Sequence, residues 1–437
     1  MNRLIMVLLF LIILLPGCSL LGGEEAPDGE DAPPTATATP GATPTAAATP
    51  QATEAVDSEE EPPIRIWVVE ELSPGANVPG GSIVAEQLAA YETNHPEVQL
   101  EVEVKSGLGR GSIISYLRFG GDVAPSVLPD VIAVPVDGLS AAANEGLIFP
   151  LGGFIDQADA DDLFPAAQEL SKVNDQMVGY PMTLSNLGHM AYSTAIFTET
   201  VPLTWEAFLQ PEQVTFAFPG AGLAGAEMLL QQYLAEGGAL TDESNQPALQ
   251  VEPLTAALQR YSEGRATEVI LLETSSLTSL SESWQTFGTL ANTVQTVDSQ
   301  YLARRDEGID SAFAGIPGPE QPLAPLVSGW AWAISSPDPA RQEIAADVLN
   351  WLIAGPNIGD WSLAAARLPA RRSSFEQWPA DDDYTEFLIQ ELDRAEPFPE
   401  IATGAVLDAL GTALFDVLSL ASSPEAAAMQ AVDSLRQ

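Results

Sequence analysis

Few residues in this chain can do chemistry. It has one cysteine, Cys18, and two histidines, His95 and His189, so there is no Cys/His ligand set for zinc and no pair for Cys–His nucleophilic catalysis. The acid clusters at 156–162 and 381–383 invite a calcium reading. Neither has the central glycine and terminal glutamate of an EF-hand, so both are read as solvated charge. The run Gly107-Leu108-Gly109-Arg110-Gly111 lacks the Gly-Lys-Ser/Thr ending of a phosphate-binding loop, which argues against nucleotide. Arg110 can still offer its two-pronged guanidinium to an anionic or hydroxylated ligand. Neither a metal nor a cofactor is expected.

The aromatic residues are the other candidates. Trp284 stands in a Ser/Thr-rich, nearly uncharged stretch, where a lone large ring is either a surface anchor or a binding platform. Trp330 and Trp332 lie two apart in an apolar, strand-like run and are expected to point to opposite faces of a sheet, one of them into the core. Trp205 follows Pro202 and Thr204, and Thr204 is placed to cap a helix that begins at Trp205, giving that ring a structural role.

Residue 18 follows a distinctive leader. Met1-Asn2-Arg3 precedes Leu4 to Leu15, an uncharged run of 12 residues. A bilayer-spanning helix needs about 20 apolar residues and a secretory core about 7 to 15, so export is favoured over a retained span. Leu15-Pro16-Gly17-Cys18 resembles the bacterial lipobox, which implies a signal peptide over 1–17 and acylation of the Cys18 thiol. With no second cysteine, disulfides are excluded. The segment 18–62 carries ten acids from Glu24 onward, no Lys or Arg, and repeats of Thr, Pro and Ala. It cannot bury enough apolar surface to offset its ordering entropy and reads as a disordered stalk.

The remaining 63–437 holds 51 acids against 15 bases, a net of about −36. Such a surface repels nucleic acid and anionic lipid heads and keeps an exported, monomeric protein soluble. The length exceeds one core and argues for two lobes.

The elements that must position the candidates alternate. Ile64-Arg65-Ile66-Trp67-Val68-Val69 is a short β-branched strand, followed by a helix through Ile83, Val84, Leu88 and Tyr91 that Asn94-His95-Pro96 stops. Val98 to Val104 alternates as a half-buried strand, and the glycine run then opens a helix through Leu117. Asp130 to Val134 is a third strand, and a helix through Leu139, Ala142 and Ala143 ends at Gly146. This order predicts an α/β fold with helices on both faces of a sheet.

The opening strand, Asn94-His95-Pro96-Glu97-Val98, Pro129-Asp130-Val131 and Glu145-Gly146-Leu147-Ile148-Phe149-Pro150-Leu151 resemble family 1 extracellular solute-binding proteins, the maltose-binding-protein-like group. So do Val178-Gly179-Tyr180-Pro181-Met182, Ala191-Tyr192-Ser193, Pro202 to Phe208, Ser328-Gly329-Trp330-Ala331-Trp332-Ala333-Ile334 and Arg367-Leu368-Pro369-Ala370-Arg371. Trp284 to Ala291 echoes a further family segment more faintly.

The resemblance implies a two-lobed periplasmic-binding-protein fold. Lobe one would take 63–181 and 330–368, and lobe two 183–325 and 370–437. Three crossings, near 180–185, 323–329 and 368–372, would frame a ligand cleft. The loops after Val104, Val134 and Tyr180 would face it, and hinge closure would bury the ligand. The resemblance selects Trp330 as the ring that stacks on a sugar, and puts Asp137, Asn186 and Tyr192 where polar cleft groups belong. It implies a non-enzymatic, lipid-anchored extracytoplasmic receptor that passes a small solute, a sugar or oligosaccharide, to the permease subunits of an ABC importer. Two alternatives stay open: the same fold binding another solute or serving a sensor, and, more remotely, a secreted glycosidase using two carboxylates.

Overall fold

A computed structural model describes residues 62–436 apart from 108, 122, 124, 195–200, 211–214, 288–292, 305–310 and 403. The leader, Cys18 and the stalk up to 61 therefore lie outside the described residues, as do Gly288 to Ala291.

The β-branched opening forms β1 (Ile64–Val68), buried on both faces as a central parallel strand must be. Its parallel neighbours are β2 (Leu100–Val104) and β3 (Val131–Pro135). β2 is the sheet's edge, and its outward Glu101 is paired to Arg65 at 2.9 Å. A two-stranded hairpin follows, β4 (Lys172–Val173) with β5 (Gln176–Met177). Beyond β3 come β11 (Leu326–Ile334), β6 (Tyr180–Ser185) and β12 (Leu368–Pro369), with β13 (Glu396–Pro397) beside the start of β11. β11 is antiparallel to both β3 and β6, so β6 runs with β1, β2 and β3. The helix predicted after β1 spans Gly81–Asn94 with His95 as its C-cap. The one after the glycine run is Ile113–Gly120, capped by the Ser112 hydroxyl, which accepts from the Ser115 N–H.

The second sheet has the order β10 (Ser311–Ala314), β7 (His189–Ser193), β9 (Thr293–Val297), β8 (Thr215–Ala217). Helices Gly222–Ala235, Val251–Ala266, Ala405–Leu418 and Pro424–Ser434 build its core through Leu229, Leu230, Leu254, Leu258, Leu410 and Leu414. The two sheets, each with its own helices, are the two lobes. The described parts of both belong to one compact unit, 60–437.

Several expectations shift. Trp330 and Trp332 pair in unbroken register with Pro135 and Ala133, and because a strand's side chains repeat every second residue they share one face, not opposite faces. Tyr180 begins β6, so the turn at this edge follows Ser185 rather than Tyr180. Thr204 occupies the N-cap position but its side chain makes no capping bond; Trp205 is fully buried regardless. The cluster at 156–162 is not merely solvated: Arg371 binds Asp159 at 2.7 Å and Asp162 at 2.6 Å. Lastly, Trp378 bonds the Ser362 hydroxyl of the helix Gly355–Ala365 in the first lobe, whereas Tyr384 and Phe387 pack against His189 and Phe313 of the second sheet.

Candidate ligand cleft

Strand direction locates the cleft. The carboxyl ends of β1, β2, β3 and β6 share one edge of the first sheet. In the second sheet, His189 pairs with Val297 and Met190 with Ala314, so β9 and β10 end where β7 begins, and β8 ends on the same side. Residues 186–188 link β6 to β7, and 315–325 link β10 to β11. The joined edges are the carboxyl ends of both sheets, the place where ligands bind in open α/β folds.

On the first lobe the edge carries Trp330, half-buried, beside Pro135 and Thr183. Two glycines let it sit there. A Cβ on Gly329 would lie 2.0 Å from the Thr183 carbonyl oxygen, so only glycine permits β11 to approach β6 at that point. A Cβ on Gly107 would lie 2.7 Å from Trp330 Cη2, so the loop after β2 closes over the indole only because residue 107 is bare. Arg110 is exposed on the turn Gly109–Gly111 that follows. Asp137, also exposed, lines a groove of about 430 Å³ with Lys172, Ser328, Phe398 and Glu400.

On the second lobe a small cavity of about 50 Å³ opens at the ends of the strands. Asn186, Gly188, Glu227, Gln231, Thr296 and Asp298 line it, among others. Asn186 adopts φ 63°, a left-handed conformation that asparagine tolerates and that turns the chain from β6 into β7. Its polar residues are two acids, two amides and a threonine. Thr296 is 2 % exposed, and its Oγ1 has no hydrogen-bond partner; neither has the buried Gln231 Oε1. Burial pushes Glu227 up to about 7, with the nearby Asp298 charge adding to the effect. Burial likewise raises Asp298, against the opposing pull of the Gln300 N–H, Arg304 and Arg367. Among the described residues neither carboxyl has an ion-pair partner.

The sequence candidates divide accordingly. Trp330, Arg110, Asp137 and Asn186 stand at the joined edges. Trp284 is 9 % exposed, with its ring 5.5 Å from that of Tyr301, inside an aromatic cluster that includes His189 and Tyr384. Tyr192 is half-buried in the middle of the second sheet and packs on its core. His189 bonds the Leu187 carbonyl oxygen through Nδ1 at 2.8 Å and the Tyr384 hydroxyl through Nε2 at 2.9 Å, so β7 is tied to the helix Asp383–Asp393. Its complete burial lowers its pKa to about 4. Sequence reasoning missed Glu227, Gln231, Thr296 and Asp298. One signal existed: Glu227 is the lone charge in the 14-residue helix Gly222–Ala235.

The molecule is a pair of α/β lobes that meet at the carboxyl ends of their strands. The sequence matches the bacterial extracellular solute-binding protein family over residues 89–386, and the chain belongs to that family. Comparison with curated proteins gives no match. Among solved structures, the GacH receptor of Streptomyces glaucescens, described unliganded and with acarbose, is similar at 18 % identity, covering 85 % of this chain and 97 % of that one, with a TM-score of 0.61. The cyclic alpha-maltosyl-1,6-maltose binding protein from Arthrobacter globiformis gives 16 %, the same coverage and a TM-score of 0.67. The maltose-binding periplasmic protein from Listeria monocytogenes, in complex with maltose, gives 14 % identity, 85 % and 96 % coverage and a TM-score of 0.65. At these identities the likeness shows the two-lobed fold.

Proposed function

We propose that this protein is a lipid-anchored extracytoplasmic receptor that captures a saccharide between its lobes and delivers it to the permease subunits of an ABC importer. The observation that carries the saccharide reading is the pairing of a half-buried indole at one sheet edge with the amide and carboxyl groups of Asn186, Glu227 and Asp298 at the other. A pyranose presents an apolar C–H face, which an aromatic ring covers, and a rim of hydroxyls, which carboxyl and amide groups satisfy. Trp330 is the stacking residue. Asn186, Asp137 and Arg110 supply polar contacts, while Trp284 and Tyr192 support the walls from inside. Similar folds whose names include maltose or a maltosyl sugar favour the same class.

Binding proceeds without covalent chemistry. The lipid on Cys18 holds the receptor at the membrane, and the stalk sets a high effective concentration at the permease. A thermal-shift screen of the purified full chain against mono- and oligosaccharides, amino acids and polyols tests the reading. Stabilisation by saccharides supports it; stabilisation by another class alone overturns it.

A further inference from the structure

In a chain whose folded part holds 51 acids against 15 bases, a base without a partner is the exception. Nine of the described bases pair with carboxylates, Arg265 bonds two carbonyl oxygens, and Arg304 bonds the Ser281 hydroxyl. Among the described residues three bases make no hydrogen bond or ion pair: Arg110, Lys172 and Arg367. All three stand along the carboxyl edge of the first sheet, which is one wall of the cleft. Arg367 falls level with Ser185, the last residue of β6, because Leu368 of β12 pairs with Leu184 in antiparallel register. Arg110 is on the turn after β2, beyond Gly107, whose backbone lies against the Trp330 indole. Lys172 lines the groove that also holds Asp137 and Ser328, where Asp137, Glu169 and Glu400 offset its charge. Arg110 and Arg367 are exposed. The carboxyl that Arg367 acts on is Asp298, across on the second lobe.

We infer that Arg110 and Arg367 are the anion-binding groups of the cleft, so that the solute is an acidic saccharide whose carboxylates they receive. The inference rests on the saccharide reading above and narrows it. Sheet order puts Trp330 between the two arginines: β6 separates β12 from β11, and β3 and β1 separate β11 from β2. At about 4.8 Å per strand, Arg367 stands about 10 Å to one side of the strand that carries the indole. An oligosaccharide stacked on Trp330 covers that span. The guanidinium is a planar fork of N–H donors that meets a carboxylate with two parallel bonds. A hydroxyl has one oxygen and no charge, and leaves half of the fork unused.

The outer surface, with its large negative net charge, repels anions. At physiological salt the field of exposed charges fades beyond about 8 Å, so a carboxylate inside the cleft responds to the groups beside it. Those groups are basic on the first wall: the stretch 104–121, which carries Arg110, holds three bases and no acid. On the second wall the acids Glu227 and Asp298 accept hydroxyls and turn carboxylates away. The two walls thereby fix the ligand's orientation, with its acid groups toward the first lobe and its hydroxyl rim toward the second.

The test is titration calorimetry of the full chain in detergent with galacturonate oligomers, their methyl esters and glucose oligomers. The expected result is at least about tenfold tighter binding of the free acids than of either neutral series, a charged hydrogen bond's worth. Arg110→Gln and Arg367→Gln should each shrink the acid-to-neutral affinity ratio by about tenfold. Neutral oligomers binding as tightly as the acids, or a ratio that either substitution leaves unchanged, overturns this inference and leaves the saccharide reading standing. Binding by none of the three series overturns both. The ratio is internal to each protein, so it holds whatever the variant's stability.

Discussion

Glu227 allows the site's electrostatics to be tested without any ligand. Below pH 4.5 both the folded and the unfolded chain hold its proton. Between 4.5 and about 7 the unfolded chain has released it while the folded chain retains it, so stability falls as pH rises through this window, and above 7 the whole penalty persists. Raising the group from 4.5 to about 7 amounts to about 3 kcal/mol, and partial exposure reduces this to about 2 kcal/mol between pH 5 and pH 8. Glu227→Gln keeps the shape and removes the titration. Denaturant unfolding of both proteins across this range should show the variant gaining about 2 kcal/mol on the parent as pH rises. His189 works in the opposite sense, since its lowered pKa supports stability that is lost as pH falls from 6.5 to about 4. It is common to both proteins and cancels in the difference. Parallel stability profiles would show that Glu227 is solvated and refute the reasoning.

Three further outcomes follow from named contacts. Trp330→Ala should weaken saccharide binding by at least about tenfold with little loss of stability, whereas Trp284→Ala should cost about 3 to 5 kcal/mol of stability, the usual penalty for removing a buried aromatic; calorimetry and denaturant unfolding separate the two. Arg371→Gln leaves Asp159 and Asp162 without their cation and should lower stability by about 2 to 3 kcal/mol, measured by denaturant unfolding. Cys18→Ser should abolish incorporation of labelled fatty acid and shift the protein from the membrane fraction into the medium.

The first lobe was legible because its elements are local. β1, the helix ending at Asn94, the glycine-run loop and β3 each carry their period and stop signals within about a dozen residues, and the structure places them close to where those signals fall. What the sequence hid depends on contacts between distant residues. Asp162 and Arg371 are 209 positions apart, so the cluster at 156–162 looked like plain surface charge. Trp284 looked like an exposed platform because its neighbours are small and polar, yet Tyr301 and Tyr384 enclose it. The acceptor cavity draws on a helix, two strand ends and a crossing, no two of them adjacent in the chain, and only the lone charge of Glu227 hinted at it. The helix Asp383–Asp393 is tied by Tyr384 to His189 of the second sheet, a bond 195 residues long that no local pattern announces.

The central claim, a saccharide held between the two sheet edges, is tested most directly by hydrogen exchange of the full chain with and without a saturating oligosaccharide. The account predicts slowed exchange on both walls together, at 105–107 and 328–331 on the first lobe and at 186–188, 227–231 and 294–298 on the second. Protection confined to one lobe, or located away from both edges, would contradict it.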